Sequence, residues 1–172
     1  DVLSVGRVVA TGAFRDGKGT GANSIAVARN GRIECGVVAV PLRDKVYTAG
    51  AGAGAFLNGV RLEASRRSEV ECAAILAARP TFEDDNWRDA PPPVERHFRS
   101  SLAYRLSLVG EGRFDGMITL RDTWEWDIAA GVLIAQEAGA VVRDRKVQPL
   151  SFNQPGAKGP GVLALAPGLA DD

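Results

Sequence analysis

The sequence predicts an α/β protein: an antiparallel meander of short strands followed by a smaller α/β layer. Three observations carry that expectation. Between residues 24 and 62, β-friendly runs are punctuated by Asn30-Gly31 and Asn58-Gly59, the dipeptide that most strongly favours a two-residue hairpin turn. After residue 101 the apolar spacing changes to that of helices, and helical stretches alternate with strand-like ones, the pattern of an α/β layer. The chain has 172 residues, 45% hydrophobic and 24% charged, which is enough for one good core or two interlocked layers.

Taken in order, "SIAVAR" and "IECGVVAVP" read as strands joined at "NGR", and Asp44-Lys45 marks a turn before "VYTAG". "GAGAGAF" has no bulky side chain from Ala49 to Ala55 and predicts a tight turn with close backbone approach. "LNGVRL" closes the meander near Leu62. The polar stretch "EASRRSEVE" then suggests a boundary between residues 1–68 and 69–172. "CAAILAARP" reads as a short buried segment, and the stretch through Pro91, Pro92 and Pro93 as a surface loop. "SLAYRLSLVGEGRF" places Leu102, Leu106 and Val109 at helical spacing, with Gly110 and Gly112 as end signals. "DGMITLR" is strand-like. "DIAAGVLIAQEAGA" predicts a helix with Ile128, Val132 and Ala135 on one face and Gly139 just past its end. "AVVRD" and "GVLALAP" complete the strands.

Several function classes are excluded or disfavoured by composition. Lys plus Arg equals Asp plus Glu, 21 each, so no charge excess points to nucleic-acid polymers or a membrane surface. No apolar run reaches transmembrane length, and the first residues lack the pattern of a signal peptide, so a cytoplasmic location is expected. Cys35 and Cys72 lie in apolar surroundings without metal spacing, and two reduced, buried thiols are expected. His97 is the single histidine, which makes a Ser-His-Asp triad or a His-rich metal site a poor reading.

The segment with chemical promise is "TWEWDIAAGVLIAQEAGA". Asp127 stands between two tryptophans and a run of small residues. One reading is structural: Asp127 caps the helix and the tryptophans fill the core. The other makes Asp127 a metal ligand, since a helix N-terminus favours the ionised carboxylate and Mg²⁺ takes oxygen donors shared with phosphate. Ala129, Ala130 and Gly131 would let a ligand approach the first turn.

This stretch closely resembles the second signature of the inositol monophosphatase family of Mg²⁺-dependent, Li⁺-sensitive phosphomonoesterases. The matching residues are Trp126, Asp127, Ala129, Ala130, Gly131, Glu137, Ala138 and Gly139. "NGRIECGVVAVPLRDKVYTAGAGAGAFLNGVRL" is similar to the family's meander and its Gly-Ala-Phe-x-Asn-Gly turn, and "SSLAYRLSLVGEGRFDGMI" to the helix and strand before the signature. "TWEWD" and "SLAYRL" lean toward the bacterial CysQ-type branch, the 3'(2'),5'-bisphosphate nucleotidases. The resemblance implies a layered α/β sandwich, Mg²⁺ as cofactor with Asp127 among its ligands, and in-line attack by a metal-bound water. It also implies a small phosphorylated substrate touched by Ser101 and Arg105, and a homodimer. Adenosine 3',5'-bisphosphate is the first expected substrate and inositol phosphate the second. An inositol-specific site closes one side with an acidic residue, whereas the nearest positions here are Thr119 and Leu120.

The sequence departs from that family at its first signature, Asp-Pro-Ile/Leu-Asp-Gly-Thr. "GRVVAT" occupies its place; Thr11 matches the threonine, a catalytic position, and neither aspartate is present. The upstream helical part, with its further acidic ligand, has no counterpart, so the fold is expected without its N-terminal helical part. A non-catalytic homologue that binds a phosphorylated ligand or serves in assembly is the rival reading. Other residues have plainer roles beside functional ones. Ser101 suits an N-cap, Arg105 a solvated or core-edge position, and Trp124 and Trp126 core packing in place of flanking an adenine. His97 and the acidic Glu83, Asp84 and Asp85 suit exposed positions. "FRDGKGTGAN" lacks the spacing of a phosphate-binding loop and suits a hairpin.

Overall fold

The structure, a computed structural model, describes residues 4–9 and 21–170, the first strand by its backbone alone. Strands β1 (Ser4–Val9), β2 (Asn23–Arg29), β3 (Arg32–Val40), β4 (Lys45–Gly50), β5 (Gly54–Leu57) and β6 (Val60–Arg61) form one antiparallel sheet in chain order. Both Asn-Gly pairs make the turns expected of them. Asn30 and Gly31 have φ of 52° and 78°, Asn58 and Gly59 of 48° and 83°, the left-handed pairs that match the twist of flanking strands.

The second half is a mixed sheet. Strands β7 (Ala74–Ala77), β8 (Glu95–His97), β9 (Gly116–Thr119), β11 (Val141–Arg143) and β13 (Val162–Leu165) are ordered β11-β13-β9-β7-β8. β7 runs parallel to both its neighbours, while β13 pairs antiparallel with β9 and β11. A separate ribbon joins β10 (Thr123–Trp124) to β12 (Lys158–Gly159). Strand β8 lies inside the segment expected to be loop throughout: "ERH" follows the prolines directly and pairs with Ala74–Leu76 along the sheet edge.

Two helices pack against the first sheet and carry the core toward the second. α1 spans Leu102–Gly110 and α2 spans Glu125–Glu137. Neither has the single apolar face that the sequence suggested. Every residue of α1 is buried, as is each residue of α2 from Ile128 to Ala135, because sheet and partner helix cover them on several sides. One cluster of buried side chains runs from Val38 and Tyr47 through Leu106 and Ile134 to Val142 and Val162, on both sides of residue 68.

This packing is close because its contact residues are small. A Cβ on Gly36 of β3 would lie 2.8 Å from Ala130 Cα, and one on Gly131 would lie 2.7 Å from Leu106 Cβ. Both glycines therefore set distances, one between helix and sheet and the other between helices. Nearby, Tyr47 donates a 2.5 Å hydrogen bond to Glu111, which also takes the Lys45 ammonium at 2.7 Å. Burial first, then Glu111, holds the Tyr47 phenol well above its ordinary pKa. The other face of the first sheet exposes Ile25, Val37 and Val46. No helix among the described residues is long and apolar enough to cross a membrane.

Gly36→Val is expected to overpack the helix–sheet contact and lower stability by about 2 kcal/mol or more. Urea unfolding checks this, with the midpoint falling and the slope unchanged.

Candidate phosphate site at the start of helix α2

The first turn of α2 is anchored by Glu125, not by the aspartate that the sequence suggested as its cap. The helix begins at Glu125, with Trp124 in the N-cap position and no side-chain cap bond. The buried Glu125 carboxylate reaches the 153–157 loop, accepting the N–H of Asn153 at 2.8 Å and of Gln154 at 3.0 Å. In return, Glu125 N–H donates to the Ala157 carbonyl at 2.9 Å. Asp127 is the third helical residue, so its carboxylate is held in the favourable field of the helix start without being used as a cap.

The other end of α2 is fixed in a similar way. Glu137 accepts the N–H of Gly52 and of Gly54, both at 2.9 Å, so the glycine-rich β4–β5 turn wraps onto the helix end. Gly139, at φ +99°, reverses the chain, and Ala140 N–H closes back to the Ala135 carbonyl at 2.9 Å, the expected glycine C-terminus.

Asp127 lines a small pocket of about 100 Å³ with Ser24, Ser100, Ser101, Leu102 and Arg121. Burial raises the Asp127 carboxyl above the ordinary carboxylate range, and the positive charge of Arg121 opposes that rise. Ser101 does cap α1, accepting Tyr104 N–H at 3.3 Å, and it also faces this pocket. Ser24, not singled out from the sequence, is 1% exposed and its hydroxyl has no hydrogen-bond partner among the described residues. A buried hydroxyl without a partner costs free energy, and here it belongs to a residue lining the pocket. No motif in "GANSIAV" marks it; the register of β2 beneath the helices places it there.

The pocket continues, through Ser100 and Arg121, into a cleft of about 610 Å³ that Arg105 also lines. Ser101, Arg105 and Asp127 therefore border two adjoining cavities. Arg105 is not solvated: it is 5% exposed, with its guanidinium 4.4 Å over the Phe98 ring and its Nε donating to the Arg99 carbonyl. Burial and then the like charge of Arg121 push its pKa down to about 10.

Thr11, the candidate catalytic residue of the altered first signature, lies outside the described residues, as do residues 14–20 of the glycine-rich stretch. Other expectations change. Trp124 and Trp126 are not core: they are 40% and 37% exposed and stack on each other with centroids 4.5 Å apart. Lys158 covers Trp124 at 4.3 Å because β12 pairs directly with β10. Cys35 and Cys72 are free but exposed; Cys35 alternates outward on β3, and Cys72 occupies a turn with φ of 57°. His97 is partly covered, packing edge-on to Phe114 at 5.1 Å and pairing with Glu95. Glu83, Asp84 and Asp85 are exposed as expected.

A pair of Mg²⁺ ions requires several carboxylates around it. Among the described residues no group of three or more His, Cys, Asp or Glu could hold a metal, and Asp127 faces a guanidinium instead of a second carboxylate. The described donor set does not fit that metal pair.

The chain matches the inositol monophosphatase family over residues 10–170. It is 35% identical over 124 residues to a Thermotoga maritima protein named fructose-1,6-bisphosphatase/inositol-1-monophosphatase, covering 70% of this chain and 48% of that one. Against Nus factor SuhB of Pseudomonas aeruginosa it is 38% identical over 133 residues, with the same coverage of 70% and 48%. The chain thus spans about half the length of these relatives. Among solved structures it is similar to the extragenic suppressor protein suhB of Bartonella henselae, with a TM-score of 0.76 and 27% identity over 93% of this chain and 65% of that one. It shares the fold of SaIMPase-II, solved with 2'AMP and, separately, with inositol monophosphate; the 2'AMP structure gives a TM-score of 0.80 at 21% identity over 99% of this chain and 66% of that one. With the Trp-Asp helix, the Gly-Ala-Phe-x-Asn-Gly turn and the layered sheets all in place, the chain belongs to the inositol monophosphatase family.

Proposed function

We propose that this chain carries the substrate-binding half of a phosphomonoester hydrolase, with the phosphate lodged in the Asp127 pocket. The observation that carries the reading is the convergence of Asp127, Ser101, Arg121 and the unpartnered Ser24 hydroxyl on one small pocket that opens into a larger cleft. Arg121 supplies positive charge for a phosphate oxygen, and the serines supply hydroxyl donors. The cleft beside it has no carboxylate in its lining among the described residues and is bordered by Thr119 and Leu120. That openness favours a nucleotide, adenosine 3',5'-bisphosphate, over an inositol phosphate. Mg²⁺ is the expected cofactor from the family, and the described residues do not complete its site.

A second reading is a phosphate-ligand binder without turnover, favoured by the single carboxylate of the described pocket. The two differ in what Asp127 does. In a hydrolase it is required for the reaction. In a metal-free binder its negative charge only repels the phosphate.

Phosphate release from adenosine 3',5'-bisphosphate and from inositol 1-phosphate, with and without Mg²⁺ and with Li⁺ as inhibitor, tests the proposal. The hydrolase reading expects Mg²⁺-dependent release that falls at least about 100-fold in Asp127→Asn, a loss comparable to removal of one strong electrostatic contact in a transition state. No release by the folded protein, with phosphate binding strengthened in Asp127→Asn, favours the binder.

Ser24→Ala provides a second check. Removing an unpartnered buried hydroxyl is expected to leave stability unchanged or raise it by up to about 1 kcal/mol. It should weaken phosphate binding severalfold. Thermal unfolding and calorimetric titration with adenosine 3',5'-bisphosphate measure the two effects separately.

A further inference from the structure

A cavity of about 280 Å³ lies at the far end of helix α2, apart from the Asp127 pocket and its cleft. Glu137, part of its lining, follows Asp127 by ten residues, about 15 Å along the helix axis. The apolar lining comes from three separated parts of the chain: Ile33 of β3, Leu133 of α2, and Leu150 with Phe152 just before the 153–157 loop. Backbone hydrogen bonds hold the walls. Phe152 N–H donates to the Gly31 carbonyl at 3.0 Å, and Ala51 N–H to the Glu34 carbonyl at 2.9 Å. Glu137 fixes the β4–β5 turn on the remaining side. The hollow is therefore preformed, and its volume, just under the range for drug-sized ligands, suits a small one.

Two residues of opposite charge, Arg32 and Glu137, line this cavity, together with Gln136. Neither the Arg32 guanidinium nor the Gln136 amide has a hydrogen bond or ion pair among the described residues. The acid nearest Arg32 in sequence, Glu34, pairs with Arg29 instead, at 3.3 Å. Each oxygen of Glu137 accepts one amide N–H, yet a carboxylate offers about four acceptor positions, so capacity remains for a further donor. An exposed arginine alone needs no partner. One that shares an apolar hollow with a carboxylate sets a charge pattern for whatever enters. A simple anion would gain Arg32 but meet the negative charge of Glu137, and a simple cation the reverse. An apolar body carrying one charge of each sign satisfies both.

We infer that this cavity binds a small zwitterion with an apolar side chain, a free α-amino acid of the leucine class. Its carboxylate takes Arg32, its ammonium takes Glu137, and its side chain lies against Ile33, Leu133 and Phe152. The Gln136 amide adds a donor for the carboxylate. The cavity shares no lining residue with the phosphate pocket, so this site stands or falls independently of the chemistry proposed at Asp127. Glu137 then serves twice, fixing the glycine-rich turn and holding the ammonium.

Amide chemical shifts of the isotope-labelled full chain, titrated with L-leucine, read this directly. Saturable shifts are expected, centred on Arg32, Ile33, Leu133, Glu137 and Phe152. Isocaproate is leucine without its ammonium, and isoamylamine is leucine without its carboxylate. Each should bind about tenfold more weakly than leucine, the loss of one charge-assisted hydrogen bond. Arg32→Gln, a change at an exposed position, should weaken L-leucine by about tenfold and leave isoamylamine unchanged or tighter. No saturable shift, shifts centred away from the cavity, or undiminished leucine affinity in Arg32→Gln overturns the inference. So does N-acetyl-L-leucinamide binding as tightly as leucine, the result expected of an apolar groove for a protein side chain.

Discussion

Helix α2 is held at each end by a carboxylate that accepts two backbone N–H groups, and the site depends on that constraint. Glu125 fixes the start of the helix to the 153–157 loop, and Glu137 fixes its end to the glycine-rich β4–β5 turn. Each such bond from an amide to a carboxylate is stronger than one between neutral groups. With both ends fixed and its middle pressed onto Gly36 and Leu106, the helix has little freedom to slide or rotate. Asp127 can then remain half-buried beside Ser24, Ser101 and Arg121 without a cap bond of its own. The glutamate of the Glu-Ala-Gly close is thus a structural member of the signature, whereas the aspartate lines the small pocket.

The same constraint explains why the small residues matter. Ala129, Ala130 and Gly131 suggested ligand access when seen in the sequence. In the fold, Ala130 meets the sheet at Gly36 and Gly131 meets Leu106 of α1, so two of the three are there for packing. Close packing is what brings β2, and with it Ser24, under the first turn of the helix. A larger side chain at Gly36 would displace the helix from the sheet that supplies Ser24.

Local features were legible in advance. The Asn-Gly hairpins, the glycine end of α2, the Ser101 cap and the meander followed by an α/β layer all follow from patterns a few residues long. What could not be read depends on partners far apart in the chain. Glu125 meets Asn153 and Gln154 across a loop, and nothing near either segment announces it. The tryptophans looked like core, yet the β10–β12 ribbon carries Lys158 onto Trp124 and leaves the aromatic stack outside. Arg105 suited a solvated or core-edge position as well as a substrate contact; α1 has no wet face, and the arginine is buried over Phe98. Strand β8 was hidden because the neighbouring prolines signalled a loop, while three residues at a sheet edge suffice for the pairing.

A crystal structure of the protein with adenosine 3',5'-bisphosphate tests the central claim, that the fixed start of α2 presents Asp127 to a phosphate pocket. The account predicts one phosphate in the small pocket, within hydrogen-bond distance of the Ser24 hydroxyl and the Arg121 guanidinium, with the bonds from Glu125 to Asn153 and Gln154 unchanged. A phosphate bound elsewhere, or a first turn that abandons the Glu125 bonds when the ligand enters, would contradict it.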